Sequence, residues 1–418
     1  MSWYRITYIA VFAILLNTTL LPAKEFKGLS EDALIIQGLL FDEYRAYENS
    51  RQVFAKLYDI TGAKEYLFRE MTASLLGGKH ITGSIARLEA WDKKNPGTIE
   101  ATRLLIPLYL TNQQIPEAKK EAEDLLKRSK EPKDMDLASN PYLYSGEFER
   151  ALDLLGKAYA KSHNEDVLLR MAVIMDEYTQ EQKKAIQLLE THRRMNVVHS
   201  TQIYFKLLKL YIEENDIEGL LDTYKALYEH DDDPQYLQKI IEAYVYKLDF
   251  EGAIAFLEEK RVDEKTLYEL YKRQHHFDKA LKLAEKFYEN DKNARWLAEK
   301  AIMLYEKSDN KNDKKMIANV IKNFDEAIAA GVDDSLYLNY YGYTLIDKDI
   351  DIEKGMKIIA DALKQQPHNT YYLDSMAWGY YKTSECKKAY DMMKKVVDQE
   401  GLKEPEIAEH WEAIQKCQ

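Results

Sequence analysis

One long period recurs along this chain and leaves few folds open to it. Eleven small or compact residues each open an apolar stripe: Ser50, Ser84, Ala118, Ala151, Ala185, Leu220, Ala253, Ala280, Ile317, Gly355 and Ala389. Successive gaps in the numbering are 34, 34, 33, 34, 35, 33, 27, 37, 38 and 34, and nine of the eleven anchors are Ala, Ser or Gly. Four residues on, every position is apolar or aromatic, as at Phe54, Leu88, Leu155, Tyr224, Leu257, Ile359 and Met393. Three further on, most are apolar again, with His192 and Lys260 breaking the rule. Spacing of i, i+4, i+7 marks one face of an α-helix.

About twelve residues before each anchor lies another apolar stretch. It carries small residues at Gly38, Gly342 and Ala377 and rings three positions later at Phe41 and Tyr380. A small residue there lets two antiparallel helices approach closely. Pro96 and Pro367 fall just past second helices, where a missing N–H ends a helix, and Pro116 falls at the start of one, where it costs nothing. The pattern predicts tandem helix pairs. One pair cannot bury its apolar face alone, so neighbours stack and share it.

The layout and its period resemble the tetratricopeptide repeat, W-x2-L-G-x2-Y…A-x3-F…A…P. The resemblance covers nearly the whole chain after the first 23 residues, in about eleven units. It is best in the last two. One runs from Leu338-Asn339-Tyr340-Tyr341-Gly342-Tyr343 through Gly355, Ala362 and Pro367. The next runs from Tyr371-Tyr372-Leu373-Asp374-Ser375-Met376-Ala377-Trp378 through Ala389 and Val396. These look like the tail of bacterial envelope members of the family. The gaps of 27, 37 and 38 leave the register open between residues 253 and 355. The resemblance implies an all-α fold, a right-handed α-solenoid of antiparallel helix pairs with first helices on the concave face. Ile407, Trp411 and Ile414, at helical spacing, suit a capping helix over Glu404–Cys417. The expected divisions are a signal segment at 1–23, amino-terminal repeats at 24–140, degenerate central repeats at 141–331, the two best repeats at 332–402 and the cap at 403–418.

Residues 1–23 read as a secretory signal or an amino-terminal anchor. Arg5 precedes an apolar run from Ile6 to Leu16, and Ala23 stands where a signal peptidase would cut. Export to the periplasm of a two-membrane bacterium is the expectation. The chain has 418 residues, 31% of them charged, and a formal charge of −12. That balance disfavours nucleic acid and anionic lipid as partners. Pro107 and Pro141 lie inside first helices and should kink or stop them. The polar segment Ser129–Pro141 therefore reads as the least helical part of the chain, a degenerate repeat or a hinge. The Lys- and Asn-rich segment 306–315 reads as a solvated loop.

No constellation carries chemistry above background. His275-His276 falls in a turn without a third ligand, Glu409-His410 lacks the H-E-x-x-H spacing, and Asp231-Asp232-Asp233 suits a helix entry rather than a calcium loop. No cofactor and no metal is expected. Cys386 opens the final second helix and Cys417 ends the cap, so antiparallel packing would bring them together as a disulfide in an oxidising compartment. Two free surface thiols are the alternative. Candidate partner-binding residues are Asn339, Tyr343, Asp374, Trp378, Tyr381 and Lys382 on the concave face, with Trp378 and Tyr343 also eligible as seam packing. The function expected is a non-enzymatic protein-binding scaffold of the cell envelope. The resemblance to envelope members of the family implies partners such as periplasmic proteases, cell-wall hydrolases or outer-membrane assembly factors. A carbohydrate-handling repeat protein of polysaccharide export is the second reading, since Tyr and Trp faces stack on sugars.

Overall fold

The computed structural model describes residues 29–196 and 200–417, so the expected signal segment lies outside the described residues. Within them are 23 α-helices and no strand. They form eleven consecutive hairpins. These are α1 (Glu31–Glu43) with α2 (Tyr47–Thr61), α3 (Lys64–Gly77) with α4 (Ile81–Asp92), and α5 (Ile99–Thr111) with α6 (Ile115–Arg128). Then come α7 (Pro132–Tyr144) with α8 (Phe148–Ser162), α9 (Glu165–Glu177) with α10 (Gln182–Met195), and α11 (Thr201–Glu213) with α12 (Ile217–Asp231). The rest are α13 (Pro234–Tyr246) with α14 (Phe250–Lys260), α15 (Glu264–Arg273) with α16 (Phe277–Asp291), α17 (Arg295–Glu306) with α18 (Lys314–Ala329), α19 (Ser335–Asp347) with α20 (Ile352–Gln365), and α21 (Thr370–Lys382) with α22 (Cys386–Glu400). A single helix, α23 (Pro405–Cys417), follows. The chain divides into two compact units, one up to residue 236 and one from residue 237. No helix among the described residues is long and apolar enough to cross a membrane.

The repeat anchors are the contact points of the hairpins. Ten of the eleven are buried, Leu220 being half-buried. In the hairpin of α19 and α20, both residues at the crossing are glycine. A methyl group on Gly342 would lie 2.8 Å from the Gly355 carbonyl, and one on Gly355 would lie 2.7 Å from the Gly342 carbonyl. His192, at an apolar slot of the pattern, is 3% exposed but not orphaned. Its Nδ1 is 2.6 Å from the Tyr159 hydroxyl and its Nε2 3.1 Å from Glu165.

The turns inside the hairpins repeat as faithfully as the helices. Arg45, Gln113, Gly146, Gln180, Asn215, Leu248, His275, Asp349 and Ser384 all take left-handed backbone with φ between 50° and 77°. In eight of these turns the next N–H donates to the carbonyl five residues back, at 2.8–3.0 Å, closing a Schellman-type cap. Seven of the accepting residues carry a ring: Phe41, Tyr109, Tyr142, Tyr211, Tyr244, Tyr271 and Tyr380. Leu345 is the eighth. The aromatic position noticed at Phe41 and Tyr380 is thus the residue whose carbonyl accepts the closing bond in most of these turns.

The prolines correct the expectation of a break. α5 runs through Pro107 and α7 runs through Pro141, so the polar segment at 129–141 is mostly helix. Pro132 sits at the start of α7, where its missing N–H would have been unpaired in any case. Pro107 lies between Ile106 and Leu108, both fully buried. Burial of such side chains contributes roughly 1.5–3 kcal/mol each, enough to offset the ~3 kcal/mol an interior proline costs.

Polar contacts tie consecutive first helices together. Arg103 on α5 makes two hydrogen bonds to Asp134 on α7, at 2.7 and 2.8 Å. Asp176 on α9, only 6% exposed, accepts from Lys206 and Lys209 on α11, both at 2.6 Å.

Candidate binding groove

The first helices of the last three hairpins, with α23, enclose a cavity of about 450 Å³. α17 gives Tyr305 and Glu306 at its end. α19 gives Leu336, Asn339, Tyr340, Tyr343, Thr344 and Asp347, a stripe at helical spacing. α21 and the turn before it give Asn369, Tyr371, Tyr372, Asp374 and Ser375, and α23 gives Glu406. The volume falls in the range of ligand clefts.

A buried carboxylate fixes the helices around it. Glu299 on α17 is 2% exposed and accepts from the hydroxyls of Tyr268 on α15 and Tyr337 on α19, both at 2.7 Å, and from Lys272 at 3.0 Å. Burial alone would raise its pKa. The Tyr268 hydroxyl, the Lys272 charge and the Tyr337 hydroxyl outweigh that and hold it below the usual carboxylate range.

The groove wall is built from hydroxyl–carboxylate pairs between successive repeats. Tyr340 donates to Glu306 and Tyr343 donates to Glu406. Burial, followed by the neighbouring carboxylates, pushes both phenols far up, so they stay protonated as donors. Asp374 is 6% exposed and lies 3.0 and 3.1 Å from Nδ1 of His410, itself 3% exposed. Nε2 of His410 lies 3.4 Å from the Tyr343 hydroxyl. The side-chain oxygen of Asn339 is buried and has no donor within reach among the described residues.

Of the six candidate partner-binding residues, Asn339, Tyr343 and Asp374 line the cavity. Trp378, Tyr381 and Lys382 do not. Trp378 is sandwiched between His410 at 4.1 Å and Tyr381 at 4.7 Å between ring centroids. Lys382 sits 5.4 Å over the Trp378 ring and makes two bonds of 2.9 Å to Asp349, one hairpin earlier. These three brace the helix that carries the wall. The residues missed in the sequence are Glu306 on α17, Tyr340 and Asp347 on α19, and Glu406 and His410 on α23. Positions 406 and 410 share a helix face next to the apolar line of Ile407, Trp411 and Ile414, and that signal was available.

α23 is held in three ways. Ile407 and Ile414 are buried against Ala389, Met393 and Val396 of α22. Trp411 stacks on Tyr390 at 5.1 Å. Cys386, the first residue of α22, is joined to Cys417, the last of α23, in a disulfide with Cα atoms 5.5 Å apart.

Helix–turn–helix units with a period near 34 residues, most with Ala or Gly at the anchor and a ring near the end of the first helix, make up most of the described chain. Such an array is the α-solenoid that the resemblance to the tetratricopeptide repeat implies. No protein-family profile matches this repeat protein, and no curated protein does. Among solved structures it is similar to a chain of the APC/C hetero-tetramer Cut9–Hcn1, at 11% identity over 94% of this chain and 98% of that one, with a TM-score of 0.37. It is similar to the P58(IPK) TPR domain at 13% identity over 93% and 98%, with a TM-score of 0.23. It is also similar to the TPR2AB domain of yeast Sti1, in a complex named with pHSP90, at 15% identity over 68% and 98%, with a TM-score of 0.27. The account of this repeat protein rests on its own helices and groove.

Proposed function

We propose that this repeat protein is a non-enzymatic scaffold of the bacterial cell envelope that binds another protein through the groove between α17, α19, α21 and α23. The observation that carries the reading is the cavity of about 450 Å³, walled by first-helix side chains and containing the unpaired oxygen of Asn339. A buried acceptor without a donor costs about 1–3 kcal/mol, and a bound peptide N–H or side chain would recover it. The other buried polar side chains of the wall are satisfied within the fold, which suits a preformed recognition surface. The envelope setting is supported by the apolar run after Arg5 and by the paired cysteines, since disulfides persist in oxidising compartments.

The test is crosslinked affinity capture from envelope extract with the tagged chain and with a Tyr343→Ala/Tyr371→Ala variant. One protein recovered near stoichiometrically by the parent and lost from the variant is expected. A partner captured equally by both would move the site away from this groove. The tyrosine-rich wall would also stack on sugar rings, and glycan in place of protein in the eluate would favour a carbohydrate-handling role in polysaccharide export.

A further inference from the structure

We infer that the groove receives a basic side chain, a lysine or arginine of a partner peptide. This rests on the reading of the groove as the partner site and names what that site selects.

Four carboxylates line the cavity, Glu306, Asp347, Asp374 and Glu406, and no lysine or arginine among the described residues does. Three already face a basic group from outside the lining. Asp374 has His410, Asp347 has Lys348 at 2.9 Å, and Glu306 has Lys311 at 3.7 Å. Glu406 differs, because its side-chain partner is the neutral hydroxyl of Tyr343 and its own helix leaves it exposed at the rim. The field inside is negative enough to act on the wall itself. After burial, Glu406, Asp347 and Asp374 are what raise Tyr343, and Glu306 and Glu406 contribute at Tyr340.

A cationic donor is what the groove lining lacks among the described residues. An ammonium brings three N–H donors and a guanidinium five, with no acceptor to clash with the wall. Such a group would satisfy the Asn339 oxygen, neutralise Glu406 and meet the ring of Tyr371, which attracts cations through its quadrupole; the Tyr305 ring already has Lys311 at 4.7 Å and Lys348 at 5.8 Å. An acidic peptide would be repelled by the four carboxylates. An apolar one would leave the excess negative charge unanswered. The formal charge of −12 on the whole chain draws basic partners in the same sense.

The experiment selects peptides from a displayed random library on the immobilised full chain. It then measures synthetic copies of the winners by calorimetry against the parent, Glu406→Gln, Asp347→Asn and Tyr371→Ala, with circular dichroism as the folding control. Enrichment of Lys or Arg is expected, with affinity falling about tenfold or more for Glu406→Gln or for a peptide whose basic residue becomes Gln. Winners without basic residues that still lose affinity with Tyr371→Ala would overturn the cation inference and leave the groove standing. Basic winners indifferent to all three variants, or no winners at all, would overturn both.

Discussion

At the scale of single residues, the polar groups of this chain matter through their partners in the next repeat. Asp176 is the clearest case. Burial would raise its carboxyl, but the two lysines of the following first helix bring it down to about 2. A folded-state pKa below the unfolded one means stability that is present above about pH 4 and lost as pH falls toward 2. Asp176→Asn should lower urea stability by about 2 kcal/mol at neutral pH and flatten its fall between pH 4 and pH 2. An unchanged acid limb would show that the lysines do not hold this carboxylate. Residue type alone put Trp378, Tyr381 and Lys382 in the candidate set, and the structure places them outside the cavity lining. An aromatic pair with a cation looks ready for a ligand, yet Lys382 is occupied by Asp349 from 33 positions earlier. Such a pair is invisible until the repeats are stacked. The position of Asn339, Tyr343 and Asp374 in the cavity lining was legible because helix spacing alone places them on the first-helix face.

At the scale of helices and turns, the period of the sequence translated almost directly into buried anchors. It slipped where the register had been left open. On α18 the buried line is Ile317, Val320, Phe324 and Ala327, so the stripe steps by 3, 4 and 3 from its anchor instead of 4 and 3, after a loop at 307–313. The glycine crossing gives a direct test. Gly355→Ala places a methyl against a backbone carbonyl that cannot swing away, and should cost about 1–3 kcal/mol in thermal or urea unfolding. The turns predict the opposite sign. Leu248 is 71% exposed and sits at φ 57°, where a side chain is strained and contributes little packing. Leu248→Gly should stabilise by about 0.5–1 kcal/mol, and a loss would show that its side chain is used. The prolines were misread because proline was weighed alone, without the buried residues on either side of it.

Across the whole molecule, two compact units meet the solvent with their own stacks of hairpins. Stability in such arrays sums over neighbours rather than residing in one core. Hydrogen exchange followed by mass spectrometry in rising urea should therefore show two cooperative steps, one for helices before residue 236 and one for those after it. A single step through every helix would refute this. Cys417→Ser should shift only the second step. It opens a loop with a sequence separation of 31, which chain entropy puts at about 3–4 kcal/mol. The repeat architecture was readable from the sequence because it is local. The groove was readable only in part, because α23 closes it, and nothing in one short helix says which neighbours it will lie across.

That closing helix has a consequence for the order in which the protein becomes competent. Residues 405–417 leave the ribosome after every helix they pack on, and they bring Glu406, His410 and one of the two cysteines with them. A chain still in synthesis, or one clipped before residue 405, would present the tyrosine wall without its lid. On the reading of this groove as the partner site, recognition would wait until the cap has docked and the last sulfur has found its mate, and immature copies would not compete for the partner.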